Sequence, residues 1–337
     1  MKGTLKKLSV TFLVAALFLG LLASCTSTSE IAVPSTPESA SPETPESIPP
    51  SEPESIPPPP VEIVDQLGRT VTLKTTDPQR IVSLAPSHTE TLYALGLGDR
   101  LVAVTDYCNY PPEAEEKPSI GGFSTPNIEE VVAMDPDLIL ATSMHEDKVI
   151  PQLEAKGLTV VAMDPTTIDE VTASITLIGK AAGAEKEAAS LLADMQSRIK
   201  AVTDKTGGLT EAEKPKVLYI VWHDPLMAAG SGTLHDELIR TAGGINVAGD
   251  LDGYTTISLE VVIAANPQVM IAGVGMGTGE DLPLQFITTE ERLGSTDARI
   301  NSRIYGINVD LVGRPGPRII EALEQFAQFI HPELFEE

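Results

Sequence analysis

The sharpest candidate for covalent chemistry is the run from Ala229 to Glu237, where Ser231, His235 and Asp236 offer a hydroxyl, an imidazole and a carboxylate. A serine nucleophile needs a base and an orienting acid that converge on it. Residues four and five positions further along one helical turn do not easily supply that geometry. A surface hydrolase is therefore the weakest reading. His88, His145, His223 and His235 could ligate a metal, but no HxxxH or CxxC spacing groups them, so neither a metal site nor a cofactor is expected. The run Gly273–Gly279 lacks both the GxGxxG spacing and the GK(S/T) ending of a nucleotide loop, and reads as a flexible loop. What remains suits holding a guest rather than transforming it. Tyr107, Phe123, Trp222 and Tyr254 could supply apolar faces, and Arg314, with Asp310 beside it, could donate to oxygens. No enzymatic activity is expected.

These side chains must be positioned by an alternation of short apolar strands and helices. Val61–Asp65 and Thr70–Leu73 flank Gln66–Arg69 and suggest a hairpin. Ile81–Leu84, Leu101–Val104, Leu138–Ala141 and Thr159–Ala162 are strands of the buried type, and the first is followed by a helix carrying Leu92, Leu95 and Leu97. Such alternation predicts parallel sheets with helices outside. Between Asp169 and Lys205 apolar residues recur at a helical period, including Ala188, Leu191, Leu192, Met195, Ile199 and Val202. This predicts one long helix, ended by Gly207-Gly208, before a new strand at Val217–Val221.

The segments on either side of that helix share a pattern. NIEEVVAMDPDLILA (127–141) and ISLEVVIAANPQVMIAG (257–273) each read as a short helix opened by a glutamate, stopped at an X-Pro step, then a strand. Glu129 and Glu260 occupy the same place in the two copies, and six residues before each stands an aromatic, Phe123 or Tyr254. Two related lobes with a cleft between them follow from the repeat. A carboxylate in the first turn of a helix is favoured by the helix dipole, which is a sufficient local role for both glutamates.

The ends of the chain bear on its compartment. Lys2, Lys6 and Lys7 precede an apolar run of fifteen residues, Leu8–Leu22, short for a membrane span and matching an export signal. Leu22-Ala23-Ser24-Cys25 resembles a bacterial lipoprotein cleavage site, which implies a lipid on Cys25. From Thr26 to Pro60 the chain is almost all Pro, Ser, Thr and Glu, with PESIPP twice and no Lys or Arg. Too few apolar groups are present to offset ordering, so a disordered tether is expected, reaching on the order of 100 Å when extended. The expected organisation is a signal peptide over 1–24, a lipidated cysteine and linker over 25–60, an α/β lobe over 61–168, a linking helical region over 169–205 and a second α/β lobe over 206–337. The net charge of −25 disfavours nucleic acid and anionic lipid as partners. With Cys25 lipidated, Cys108 would stand alone.

RIVSLAPSHTETLYALGLGDRLVAVTDYCNYPPEA (80–114), the 127–141 block and its second-half counterpart together resemble the helical-backbone substrate-binding proteins of ABC importers for cobalamin, iron–siderophores and haem. The resemblance spans about 61–333. It implies two α/β lobes joined by one long helix, a ligand in the cleft, and an extracytoplasmic, lipid-anchored monomer that delivers its guest to a permease. TDYCNYPPEA is most similar to the vitamin B12-binding branch, and places Tyr107 at a ligand-contacting position. Phe123 and Tyr254 fall where that branch has cleft tryptophans, and a third cleft aromatic is replaced near Thr142. Asp310 and Arg314 in NVDLVGRPGPR match an acidic–basic pair facing the corrinoid. Glu129 and Glu260 are then expected to meet arginines of the permease. The implied ligand is cobalamin, the alternative a ferric siderophore or haem.

Overall fold

The computed structural model describes residues 61–275 and 281–335; the leader, Cys25, the tether and part of the 273–279 loop lie outside them. A hairpin of β1 (Val61–Val64) and β2 (Thr70–Leu73) opens this region, paired antiparallel with Val61 opposite Leu73. Asp65 anchors it, its carboxylate accepting from Arg69 and from the Ala162 amide at 3.1 Å.

The first lobe is a four-stranded parallel sheet. Its elements are β3 (Ile81–Ser83), α1 (Pro86–Ala94), β4 (Leu101–Ala103), α2 (Ile128–Ala133), β5 (Leu138–Ala141), α3 (Val149–Glu154) and β6 (Val160–Ala162), in the strand order β4-β3-β5-β6. Side chains on a strand alternate between faces. Leu138 and Leu140 therefore enter one apolar cluster while Ile139 and Ala141 enter another on the opposite face. Both faces being covered, the strands read as unbroken apolar runs.

The stretch from Asp169 to Lys205 is two helices rather than one: α4 (Ile168–Ala182) and α5 (Glu185–Thr206). Gly183 takes φ +69° and caps α4, a left-handed turn that a residue without Cβ accepts at little cost. The helices cross closely, for a Cβ at Gly179 would lie 2.6 Å from that of Ala188. The long helix between the sheets is thus the 22-residue α5, followed by Gly207 as expected.

The second lobe comprises β7 (Lys216–His223), β8 (Leu226–Ala229), α6 (Leu234–Thr241), β9 (Ile245–Asn246), β10 (Tyr254–Thr256), α7 (Leu259–Ala265), β11 (Val269–Val274), α8 (Leu282–Thr289), α9 (Asp297–Ile300), β12 (Ile304–Asn308), α10 (Val309–Val312) and α11 (Ile319–Ile330). β7, β9, β11 and β12 are parallel, and β8 and β10 add an antiparallel edge, so this sheet is mixed. Val217 and Tyr219 of β7 join the cluster that also holds Leu138 and Leu140, whereas Leu218 and Ile220 pack under a third. One apolar core therefore runs from the first sheet, past α4 and α5, to the second.

The repeat seen in the sequence has a structural counterpart. Asn127 and Ser258 cap α2 and α7, each accepting backbone hydrogen bonds with its side chain. Asp135 (φ +45°) and Asn266 (φ +50°) turn the chain before Pro136 and Pro267, and each turn leads into a central strand, β5 or β11.

Candidate functional site

A cleft of about 540 Å³ opens between the lobes. Its first wall is built from the C-terminal ends of all four strands of the first sheet: Ala85–Ser87 after β3, Tyr107 after β4, Thr142–Met144 after β5 and Asp164 after β6. Gly122–Thr125, leading to α2, completes that wall. Ligands bind at strand C-termini in open α/β sheets because loops diverge there over a rigid support. The second wall is Val309, Asp310 and Gly313–Pro315, around α10.

Tyr107, Phe123, Asp310 and Arg314 all line this cavity. Tyr107 is 60% exposed and Met144 57%, so both present apolar surface to the opening. Ser87, Ser124, Thr125, Thr142 and Ser143 surround them with hydroxyls. Sequence reasoning passed over Met144, which lies two residues beyond the position where an aromatic had been expected.

Phe123 is held by a histidine. The Thr142 amide donates to His145 Nδ1 at 3.0 Å, so the other ring nitrogen carries the proton, and Nε2 donates to the Phe123 carbonyl at 2.7 Å. The rings meet edge to face at 5.5 Å. Burial pushes the His145 pKa down, which keeps the neutral tautomer that this geometry needs.

Trp222 and Tyr254 do not line the cavity. Trp222 lies within β7 rather than after a strand, and its indole donates to the Asp224 carbonyl at 2.9 Å. Tyr254 opens β10, with its hydroxyl 3.1 Å from His235 Nδ1 and its ring edge-on to that imidazole at 5.6 Å. As with Phe123 and His145, an aromatic meets an imidazole edge to face, but here the polar contact is to the side-chain hydroxyl and the histidine sits on α6. Ser231, His235 and Asp236 do not converge. Ser231 donates to the Leu251 carbonyl, Asp236 accepts from Asn246 and Arg240, and His235 faces Tyr254.

Arg314 is tied across the cleft floor. Nη1 donates to Glu90 at 3.1 Å and to Asn109 at 2.7 Å; Nη2 donates to the Tyr107 carbonyl and pairs with Asp310 at 2.8 Å. Glu90, on α1, also accepts two bonds from Arg318, whose guanidinium lies 3.8 Å over the Tyr110 ring. The first lobe supplies Glu90, Tyr107, Asn109 and Tyr110, the second Asp310, Arg314 and Arg318. Glu90 was missed because a glutamate inside a helix carries no sign of where it points. A signal did exist: His88-Thr89-Glu90 recurs as His235-Asp236-Glu237, and Glu237 also reaches out of its lobe, accepting from the Ile168 amide at 2.7 Å.

Glu129 and Glu260 are both exposed, in the first turns of α2 and α7. Hydrogen bonds from its own amide and from Ser258 hold the Glu260 carboxyl below its usual range, and Arg292 adds a smaller pull.

Residues 81–311 match the family described as periplasmic binding protein. The chain is 34% identical, over 82% of its length and 88% of the relative's, to an uncharacterized ABC transporter substrate-binding lipoprotein, YvrC, of Bacillus subtilis. Among solved structures it resembles the periplasmic vitamin B12-binding protein of Vibrio cholerae, at 27% identity and TM-score 0.64, over 77% of this chain and 99% of that one. It also resembles a periplasmic haem-binding protein of Roseiflexus, at 28% identity and TM-score 0.65, over 76% and 99%. With two lobes, a helix between them and a cleft at strand ends, the chain belongs to the periplasmic binding protein family, as a substrate-binding protein of an ABC transporter.

Proposed function

We propose that this protein captures cobalamin outside the cell and delivers it to the permease of its importer, as a monomer tethered through a lipid on Cys25. The single observation that carries the reading is the lining of the cleft. Tyr107, Phe123 and Met144 offer apolar surface within a rim of hydroxyls, a match for a large flat ring edged with amides. The relative that binds vitamin B12 supports it. Tyr107, Phe123, Asp310 and Arg314 are the cleft contacts in this reading; Trp222 and Tyr254 would serve only if the lobes rearrange around the guest. Glu129 and Glu260, one exposed carboxylate on each lobe, meet basic groups of the permease, where rim charges steer and orient docking more than they add affinity.

Titration calorimetry with cyanocobalamin tests the reading. One-to-one binding is expected, with the corrinoid absorption bands perturbed and the guest recovered unchanged. Haemin bound in its place would move the assignment to the haem alternative, and a ferric siderophore likewise. Charge reversal at both Glu129 and Glu260 should abolish uptake and leave affinity intact; weakened ligand binding would refute their docking role. Cys25→Ala should release the protein from the membrane fraction.

A further inference from the structure

We propose that Glu90 sets the charge of the guest: by occupying Arg314 it leaves the cleft selective for neutral or cationic ligands and against anionic ones. This rests on the cleft being the ligand site, and it names the chemistry admitted there.

The charged side chains lining the cleft are Asp164, Asp310 and Arg314. Arg314 is its single cation among the described residues, and the undescribed stretch 276–280 contains no Lys or Arg. That cation is already committed, with Glu90 and Asn109 on Nη1 and the Tyr107 carbonyl and Asp310 on Nη2. The Glu90 side chain is 2% exposed and is fixed from behind by two hydrogen bonds from Arg318. It cannot turn to solvent and release the guanidinium without leaving a buried charge unpaired. Glu90, Asp310, Arg314 and Arg318 together cancel. Asp164 has no basic partner among the described residues, so the balance at the opening is negative.

A carboxylate entering this cleft finds no free cation and meets Asp164 and Asp310. An amide finds hydroxyls and carboxylates that accept from its N–H groups. A ring edged with amides is therefore admitted, whereas a porphyrin with two carboxylates or an iron complex of catecholates is repelled.

The test compares guests that differ in charge alone. Cyanocobalamin and its monocarboxylate, with one ring amide hydrolysed, are titrated into the wild type and into Glu90→Gln. The wild type should bind the carboxylate weaker by about tenfold or more. Glu90→Gln, which leaves Arg314 and Arg318 facing Asp310 alone and so gives the cluster a net positive charge, should bring the ratio of the two dissociation constants toward one. Using a ratio removes any general loss of folding in the variant, and the wild-type ratio needs no variant at all. Equal affinities in the wild type, or an unchanged ratio in Glu90→Gln, would overturn the proposal and leave the corrinoid assignment standing. Haemin, a cationic ferric trihydroxamate and an anionic ferric tricatecholate complete the panel. Capture of the trihydroxamate with no corrinoid bound would overturn the corrinoid assignment and uphold the charge rule. Haemin or the tricatecholate as the tightest guest would overturn the charge rule, and binding of none of the five would sink both.

Discussion

The two lobes are variations on one plan, and they spend it differently. Each has a strand followed by a helix carrying a buried histidine, His88 or His235, and two residues later a glutamate that leaves its own lobe. Each has a capped short helix, a left-handed residue before proline and an aromatic set edge-on to an imidazole. The first lobe delivers all four strand ends to the cleft, whereas the second contributes only the segment around α10. Its sheet carries instead the antiparallel strands β8 and β10. The glutamates diverge too, Glu90 holding two guanidiniums and Glu237 a single backbone amide. Most of the shared parts fix chain direction, whereas the differing parts are the strand ends and the glutamate contacts that build the cleft. The lining of the cleft is weighted to the first lobe, and the second is clamped to it through Arg314 and Arg318 on Glu90.

The largest test of that division is Glu90→Ala. Removing one partner from a buried ion cluster should cost about 3–5 kcal/mol, read by urea denaturation. The matched Glu237→Ala should cost clearly less, and equal losses would mean that the clamp is not specific to Glu90.

Leu140→Ala, deep in the first sheet, should cost about 2–5 kcal/mol. Because one apolar core joins the lobes, Trp222 fluorescence in the second lobe should shift by the same amount as circular dichroism. A Trp222 transition left in place would show that the lobes unfold separately.

Burial lowers the pKa of His88 to about 3 and that of His235 to about 4. Both stay neutral in the folded chain, while the unfolded groups take up protons near pH 6.5. The stability they confer is complete above that value and is lost as pH falls through 6.5 toward the folded values. Each should remove about 2 kcal/mol at pH 5. His88→Gln and His235→Gln should flatten the fall between pH 6.5 and 5 to a similar degree; unchanged slopes would refute the account.

The smallest effect concerns the caps. Asn127→Ala and Ser258→Ala should each cost about 1 kcal/mol, in the same direction and with similar size. A strong inequality in thermal unfolding would break the equivalence of the two short helices.

Much of this architecture was legible in the chain. Leu138–Ala141 reads as a doubly buried strand and is one, and the 127–141 and 257–273 blocks announced paired helix–turn–strand units that the backbone repeats down to Asp135 and Asn266. Gly183 escaped notice because a glycine within a helical period carries no mark of the left-handed turn it adopts. Met144 and Glu90 escaped because strand-end loops have no periodicity and a buried glutamate looks like any exposed one.

Residue order alone determined the apolar runs, the pairing of the two halves and the family, because these depend on local pattern and spacing. Only the tertiary structure decided which aromatics share a cavity, that His145 holds Phe123, and that Arg314 is bound by Glu90, which lies 224 positions earlier in the chain. Such contacts depend on how two sheets are set against α5. The burial and charge of a side chain there belong to the assembled surroundings rather than to its neighbours in sequence.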